Sequence, residues 1–247
     1  RNILYYYAFK KWLKEITPGE ATIIYPFENQ PWEKLLCRAT REVNGKLRLI
    51  GYQHSTVPEL LLNYFLGKNE SVKTPLPDTI VANGEYTLGL LENAGYGSVE
   101  LKNGGALRYE YLHQRKTNNK DASKDKNSRT ILVALSYSKA LAEDMLRAIF
   151  DAFAQVQGIT FIIKPHPWVP WQSLEVELSP WPVHFKKTEQ AMSEVLAQSE
   201  LVIYSSSSVG LEALLGGVPV VRYLSEHILD LDPASSLLGD RVKTCSG

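Results

Sequence analysis

The sequence has few cysteines and no long apolar run. Its 247 residues include two cysteines, Cys37 and Cys245, which lie far apart and form no CxxC or other metal-ligand spacing. This argues against a disulfide scaffold and a zinc site and favours a reducing compartment. No apolar stretch approaches the ~20 residues that cross a bilayer, and the N-terminus lacks the apolar core of a signal peptide. We expect a cytoplasmic protein without a transmembrane segment, and peripheral association with the inner membrane remains open.

The sequence also lacks an excess of charge and the glycine motifs of common nucleotide sites. Lys+Arg and Asp+Glu both number 27, so no overall attraction to nucleic acid is expected and any anion site must be local. Neither GxGxxG nor GxxxxGK[ST] occurs, which leaves a dinucleotide fingerprint and a P-loop without support.

Short apolar runs alternate with helical patterns, which is typical of parallel sheets covered by helices and predicts an α/β fold. Proline signals suggest helices starting near Pro31 and Pro58, and a third is expected near Glu85. A further helix is predicted from an apolar stripe through Leu141, Met145, Ile149, Phe153 and Val156. The predicted strands cover 21–25, 47–53, 79–82, 98–101, 130–135, 160–163, 201–204 and 218–221.

Residues 114–128 (QRKTNNKDASKDKNS) are almost free of apolar side chains and predict a linker or exposed loop. The predicted domains are therefore 1–113 and 129–247, two Rossmann-like domains facing a cleft at the carboxyl ends of their strands. The chain opens on a helical pattern, RNILYYYAFKKWLKEI, without a preceding strand, so we expect the N-terminal domain to be incomplete.

The segment ITFIIKPHP runs from a strand into Lys164, Pro165, His166 and Pro167. One cation and one imidazole then emerge at a carboxyl edge on a backbone stiffened by prolines, which suits a phosphate group. The alternative is an ordinary strand exit with a solvated lysine and a packed histidine.

Four serines, Ser205, Ser206, Ser207 and Ser208, stand between a predicted strand and a helix. Backbone N–H groups and hydroxyls at the positive end of a helix dipole form an anion cradle. Serine also caps helices, but capping needs only one serine. Glu212, one turn into the helix, is a candidate acceptor for a ribose hydroxyl or a residue that merely favours the helix dipole.

The pair KPHP and SSSSVGLEALLGGVPVV resembles the C-terminal domain of GT-B glycosyltransferases, over about residues 130–223 and more loosely before them. The likeness is to bacterial surface-carbohydrate and capsule enzymes, with sialyltransferase-like and CDP-glycerol-transferase-like relatives. It implies a CMP- or CDP-linked donor held without a protein-bound metal or other cofactor. It assigns donor binding to Lys164, His166, Pro167, the four serines and Glu212.

Two N-terminal residues are candidates for the catalytic base. LRLIGYQHST places His54 after a strand, where the resemblance puts a histidine loop facing the cleft; Ser55 stands where relatives usually have glycine. Histidine changes charge near neutral pH and can deprotonate an acceptor hydroxyl. IIYPFENQPWEKLL places Glu28 after another strand, as a second candidate base or an acceptor ligand. A structural histidine and a turn with a helix cap are the alternatives.

Two further patterns each have a functional and a structural interpretation. Trp168, Trp171 and Trp181 crowd the region after KPHP; stacking on a sugar is an option, but loop packing is favoured. The spacing of Asp230 and Asp232 imitates a metal-binding DxD, and is rejected because no other ligands gather nearby.

The sequence therefore predicts a glycosyltransferase that moves a sugar or polyol-phosphate from a nucleotide donor to a glycan or lipid-linked acceptor in surface polysaccharide synthesis. A UDP-N-acetylhexosamine 2-epimerase-like enzyme and a non-catalytic nucleotide- or carbohydrate-binding module are the alternatives.

Overall fold

The computed structural model describes residues 2–16, 20–112, 129–175, 181–225, 229, 231–234 and 242–246. The chain divides into two compact units. The N-terminal unit consists of Arg1–Val57 and Leu61–Glu110, and the C-terminal unit of Pro58–Leu60 and Tyr111–Gly247. The predicted linker, 114–128, lies outside the described residues.

The N-terminal unit contains a sheet of four parallel strands in the order β1-β2-β3-β4. These strands are β1 (Thr22–Pro26), β2 (Arg48–Tyr52), β3 (Thr79–Ala82) and β4 (Glu100–Asn103). The helices are α1 (Asn2–Ile16), α2 (Pro31–Val43) and α3 (Glu85–Asn93). Leu49 and Ile80 of the sheet are fully buried and pack in one core with Leu36 of α2 and Leu91 of α3.

The strand predictions for this unit are correct to within one residue, except at β4, which starts and ends two residues later than predicted. Helices α2 and α3 start where predicted, α2 with Pro31 in its first turn. The helix predicted near Pro58 is wrong, since this stretch contains only a 3₁₀ turn at Leu62–Tyr64. Tertiary contacts explain the difference: Tyr64 OH donates to the Phe27 carbonyl (3.3 Å), which ties the turn to the loop after β1.

The C-terminal unit contains a sheet of six parallel strands in the order β10-β9-β8-β5-β6-β7. The strands are β5 (Arg129–Ala134), β6 (Ile159–Lys164), β7 (Phe185–Lys187), β8 (Leu201–Tyr204), β9 (Val220–Leu224) and β10 (Lys243–Ser246). The helices are α4 (Lys139–Phe153), α5 (Trp171–Glu175), α6 (Met192–Gln198) and α7 (Val209–Leu215).

This strand order is the Rossmann order 3-2-1-4-5-6, read from β7 to β10. After β5, strands β6 and β7 are added on one side of it, and β8, β9 and β10 are then added on the other side. The topological switch point therefore lies between β5 and β8, and ligands of such sheets bind beyond the carboxyl ends of the strands at that point.

The predicted stripe on α4 is largely correct. Leu141, Met145 and Ile149 are buried against the sheet, and Phe153 is partly buried. Val156 lies beyond the end of the helix. The strand predicted at 218–221 is displaced to Val220–Leu224, because Gly216 and Gly217 end α7 and the chain needs two more residues to re-enter the sheet. Among the described residues, no helix is long and apolar enough to cross a membrane.

Candidate functional site

The serine run lies at the switch point of the C-terminal sheet. It directly follows β8 and precedes α7. Two of its residues serve the helix: Ser207 Oγ accepts from the Val209 N–H (3.3 Å), and Ser208 Oγ donates to Glu212 Oε1 (3.2 Å). Local hydrogen bonds to α7 therefore account for one half of the run, although the N-cap residue, Ser208, makes no side-chain capping bond.

The other half, Ser205 and Ser206, lines a small cavity of about 30 Å³ at the carboxyl ends of β8 and β9. Arg222 lines the same cavity, so two serines and an arginine meet at one place. Such a donor set suits an anion. Sequence reasoning missed Arg222, although a lone arginine within the apolar run VPVVRYL was a usable signal.

Arg222 is held from behind by a buried acid. Its Nε lies 3.1 Å from Oδ2 of Asp232, and the side chains are 7% and 0% exposed. Tyr204 OH also donates to that carboxylate (3.0 Å). Asp232 thus has a structural contact, while Asp230 lies outside the described residues, so the rejection of a metal-binding DxD stays a prediction. No group of three or more metal-binding side chains occurs within the described part of the chain.

The start of α7 packs closely on β8. A Cβ placed on Gly210 would lie 2.2 Å from Cζ of Tyr204, so only glycine fits there. Glu212 is buried one turn further on, where Tyr111 OH donates to its Oε2 (2.6 Å) and Ser208 to its Oε1. The carboxylate is fixed in place and keeps further acceptor capacity for a ligand hydroxyl.

KPHP follows β6, and β5 separates it from β8. The two loops therefore start about 10 Å apart at the same edge of the sheet. Lys164 Nζ donates to the Gln190 carbonyl (2.5 Å). His166 Nδ1 accepts from the Trp168 N–H (3.2 Å), and burial lowers the pKa of His166. The neutral imidazole therefore carries its proton on Nε2, as a hydrogen-bond donor; Pro167 is exposed.

The three tryptophans divide into two groups. Trp171 and Trp181 pack against the core and flank Lys187, whose Nζ lies 5.3 and 4.5 Å from their ring centroids. Loop packing, as favoured from the sequence, explains these two. Trp168 is 79% exposed and makes an edge contact with the His166 ring at 5.5 Å.

In the N-terminal unit, Glu28 and His54 follow the neighbouring parallel strands β1 and β2. His54 Nε2 lies 3.8 Å from Glu28 Oε1, and both side chains are half-exposed. The distance is that of an ion pair and is longer than a hydrogen bond. His54 Nδ1 is buried and has no hydrogen-bond partner among the described residues.

The backbone around this pair is fixed by side-chain amides. Asn29 has a left-handed backbone (φ 55°), and its Nδ2 donates to the Asn63 carbonyl (2.6 Å). Asn63 Nδ2 donates in return to the Glu28 carbonyl (2.7 Å). Asn83 and Gln53 both donate to the Ser55 carbonyl, on the other side of His54.

A second carboxylate, Glu33, lies beneath this loop and was not among the predicted site residues. It is 2% exposed and its Oε1 accepts from the Glu28 N–H at 3.0 Å. Burial raises the pKa of Glu33 to about 7, although hydrogen bonds from the backbone of residues 28–30 oppose the shift. A glutamate in the first helical turn usually indicates only dipole or capping effects, so the sequence carried no signal for this role.

No family model and no curated protein match the sequence. Solved structures do match. UDP-GlcNAc 2-epimerase from Neisseria meningitidis bound to UDP-GlcNAc has a TM-score of 0.65 at 14% identity, covering 98% of this chain and 68% of that chain. The glycotransferase of kitacinnamycin has a TM-score of 0.60 at 15% identity, covering 99% and 67%. MurG from Acinetobacter baumannii has a TM-score of 0.56 at 12% identity, covering 99% and 64%.

The fold is of the GT-B class. This confirms the α/β prediction of two Rossmann-like sheets, here of four and six parallel strands. The chain spans about two thirds of the length of these structures. An epimerase and a glycosyltransferase both share this fold, so the chemistry must be argued from the site.

Proposed function

We propose that the protein is a GT-B glycosyltransferase that uses a nucleotide-activated sugar. The observation that carries the proposal is the position of the serine run at the switch point of a six-stranded Rossmann sheet. Anionic nucleotides bind at that point in α/β sheets of this order.

The donor phosphates are assigned to the C-terminal unit. Ser205, Ser206 and Arg222 line one cavity, and their donors would stabilise negative charge as the nucleotide leaves. Lys164 and the Nε2–H of His166 would add charge and a hydrogen bond from the neighbouring loop. No cofactor is required by this chemistry.

The acceptor is assigned to Glu28 and His54. His54 would remove the proton from the attacking hydroxyl, and Glu28 would stabilise the imidazolium formed. The resemblance to surface-carbohydrate enzymes supports a glycan or lipid-linked acceptor and a role in polysaccharide or capsule synthesis, with peripheral contact to the inner membrane where the acceptor is lipid-linked.

Calorimetric titration with CMP, CDP, UDP and GDP tests the donor site. The sequence resemblance favours the cytidine nucleotides, whereas one structural neighbour carries UDP-GlcNAc. Ser206→Ala should lower the affinity for the nucleotide about tenfold, because one hydrogen bond to a phosphate is lost. Ser173→Ala, at a serine that bonds only locally to the Pro170 carbonyl, is the matched control. Absence of binding by all four nucleotides contradicts the proposal.

An epimerase is the second candidate, and the similarity to UDP-GlcNAc 2-epimerase favours it. The two reactions differ in their need for an acceptor. NMR analysis of UDP-GlcNAc incubated with the protein alone would show a 2-epimer if the protein is an epimerase. A transferase leaves the sugar unchanged until an acceptor is added. His54→Asn and Glu28→Gln should lower transfer about 100-fold or more while nucleotide affinity is retained.

A further inference from the structure

Glu33 lies under the segment that carries Glu28, at the start of α2. Both of its carboxylate oxygens lie within hydrogen-bond distance of the Glu28 N–H, at 3.0 and 3.2 Å. The backbone N–H groups of Asn29 and Gln30 also lower the pKa of this carboxylate. One buried carboxylate therefore accepts the Glu28 N–H and interacts with the backbone of the next two residues.

The backbone of this segment, residues 28–30, includes an unfavourable conformation. Asn29 is in the left-handed region, with a φ of 55° that L side chains adopt at a cost. Two hydrogen bonds from side-chain amides, one from Asn29 and one from Asn63, tie this segment to the backbone and side chain of Asn63. A third, from the Glu28 N–H, ties it to Glu33. The Glu28 side chain leaves from this clamped backbone toward His54.

We propose that Glu33 is a positioning residue for the Glu28–His54 pair: its carboxylate holds the backbone of residues 28–30 so that Glu28 stays beside His54. The part played by the pair in catalysis rests on the proposed function. The contact between Glu33 and the backbone of residues 28–30 does not rest on the proposed function, and it can be measured without any substrate.

The ionisation of Glu33 controls this hold, because a carboxylate accepts N–H hydrogen bonds about twice as strongly as a neutral acid. The titratable groups that act on or face Glu33 are Glu28 in the loop, Tyr25 on β1, Cys37 on α2, Tyr64 in the 3₁₀ turn and Tyr96 after α3. Burial raises the pKa of the Cys37 thiol to about 11 and that of Tyr64 to about 12, and it raises those of Tyr25 and Tyr96 as well. Arg41 acts on Tyr25 and Cys37. Among the buried groups with a shifted pKa, Glu33 is therefore the one whose charge changes near neutral pH. His54, beside Glu28, is a second residue of a type that ionises in this range.

The first experiment follows the Glu28 amide by ¹H–¹⁵N NMR during a pH titration of the whole chain. In the wild type this amide should shift with a midpoint near that of the Glu33 carboxyl carbon, observed in the same sample with ¹³C-labelled glutamate. In a His54→Asn variant, which removes the other nearby group that can ionise near neutral pH, the shift should remain, and adding Glu33→Gln should abolish it. If the Glu28 amide in the wild type does not titrate with the midpoint of the Glu33 carboxyl carbon, the proposal is overturned. This comparison uses the wild type alone and therefore remains valid even if a variant fails to fold.

The second experiment measures turnover against pH with the donor and acceptor that the activity screen identifies. Glu33→Gln should lower kcat about 10- to 100-fold, as expected for a displaced catalytic group, with the donor KM unchanged. It should also change the pH dependence of kcat, because the part of the rise that follows Glu33 is lost while the part that follows the proposed base, His54, remains. Thr40→Val is the matched control, because it deletes another fully buried polar group of α2, which bonds to the Leu36 carbonyl.

The two experiments separate the two proposals. A Glu28 amide that follows Glu33 in a protein without transferase or epimerase turnover supports the hold and contradicts the proposed function. Active protein whose pH profile is the same in the wild type and in Glu33→Gln overturns the positioning role, as does a change of equal shape in Thr40→Val.

Discussion

Replacing Glu33 with glutamine should change how the stability of the N-terminal unit depends on pH. Glu33 is 2% exposed, and burial raises its pKa from the usual 4.5 to about 7. Below the unfolded-state value, the residue is protonated in both states and has no effect on the pH dependence. As the pH rises toward 7, the unfolded chain releases the proton while the folded protein keeps it. The free energy of unfolding therefore falls over this window.

The size of the fall follows from the shift. A displacement from 4.5 to about 7 corresponds to about 3 kcal/mol at 1.36 kcal/mol per unit. Glutamine has nearly the same shape and cannot ionise, so the variant lacks this fall. Relative to the wild type, Glu33→Gln should gain about 3 kcal/mol between about pH 4 and pH 8.

Urea unfolding of both proteins over this pH range measures the effect. Glu92→Gln, an exposed site on α3, is the control for a generic change of charge. If the difference between wild type and Glu33→Gln is the same at both ends of the range, burial does not set the ionisation of Glu33, and the reasoning is wrong.

Two further predictions concern the C-terminal unit. Gly210→Ala should destabilise it by about 1–3 kcal/mol, because the new methyl group overlaps the Tyr204 ring; the midpoint of urea unfolding measures this. Asp232→Ala should cost about 3–5 kcal/mol, because Arg222 would be left as a buried charge, and calorimetry would show the lowered Tm. An Asp232→Ala protein as stable as the wild type would contradict the structural reading of that ion pair.

Much of the fold could be predicted from local patterns. Short apolar runs located eight of the ten strands in the described residues, all except β7 and β10, and Pro31 marked the start of α2. The proximity of Glu28 and His54 was also predictable, because carboxyl ends of adjacent parallel strands meet at one edge. The failure near Pro58 came from contacts distant in sequence: Asn63 and Tyr64 bond to the loop at 27–29, more than 30 residues earlier.

The environment of the site was harder to predict than its position. Whether a serine caps a helix or lines a cavity depends on loop geometry, and Ser207 and Ser206 differ in this respect. Glu33 and Arg222 act from positions that look ordinary in the sequence, a first helical turn and a strand. Their burial results from tertiary packing, which residue spacing does not encode.

The separate cores of the two sheets have a consequence for spectroscopy. Leu49 and Ile80 belong to one cluster and Met145 and Phe161 to another, so the two sheets can lose structure in separate steps. Trp32 packs against the first cluster, and Trp171 and Trp181 pack against the second. Intrinsic fluorescence therefore mixes two reporters. A single apparent midpoint would be an average, and tryptophan-to-phenylalanine variants would assign each transition to its sheet.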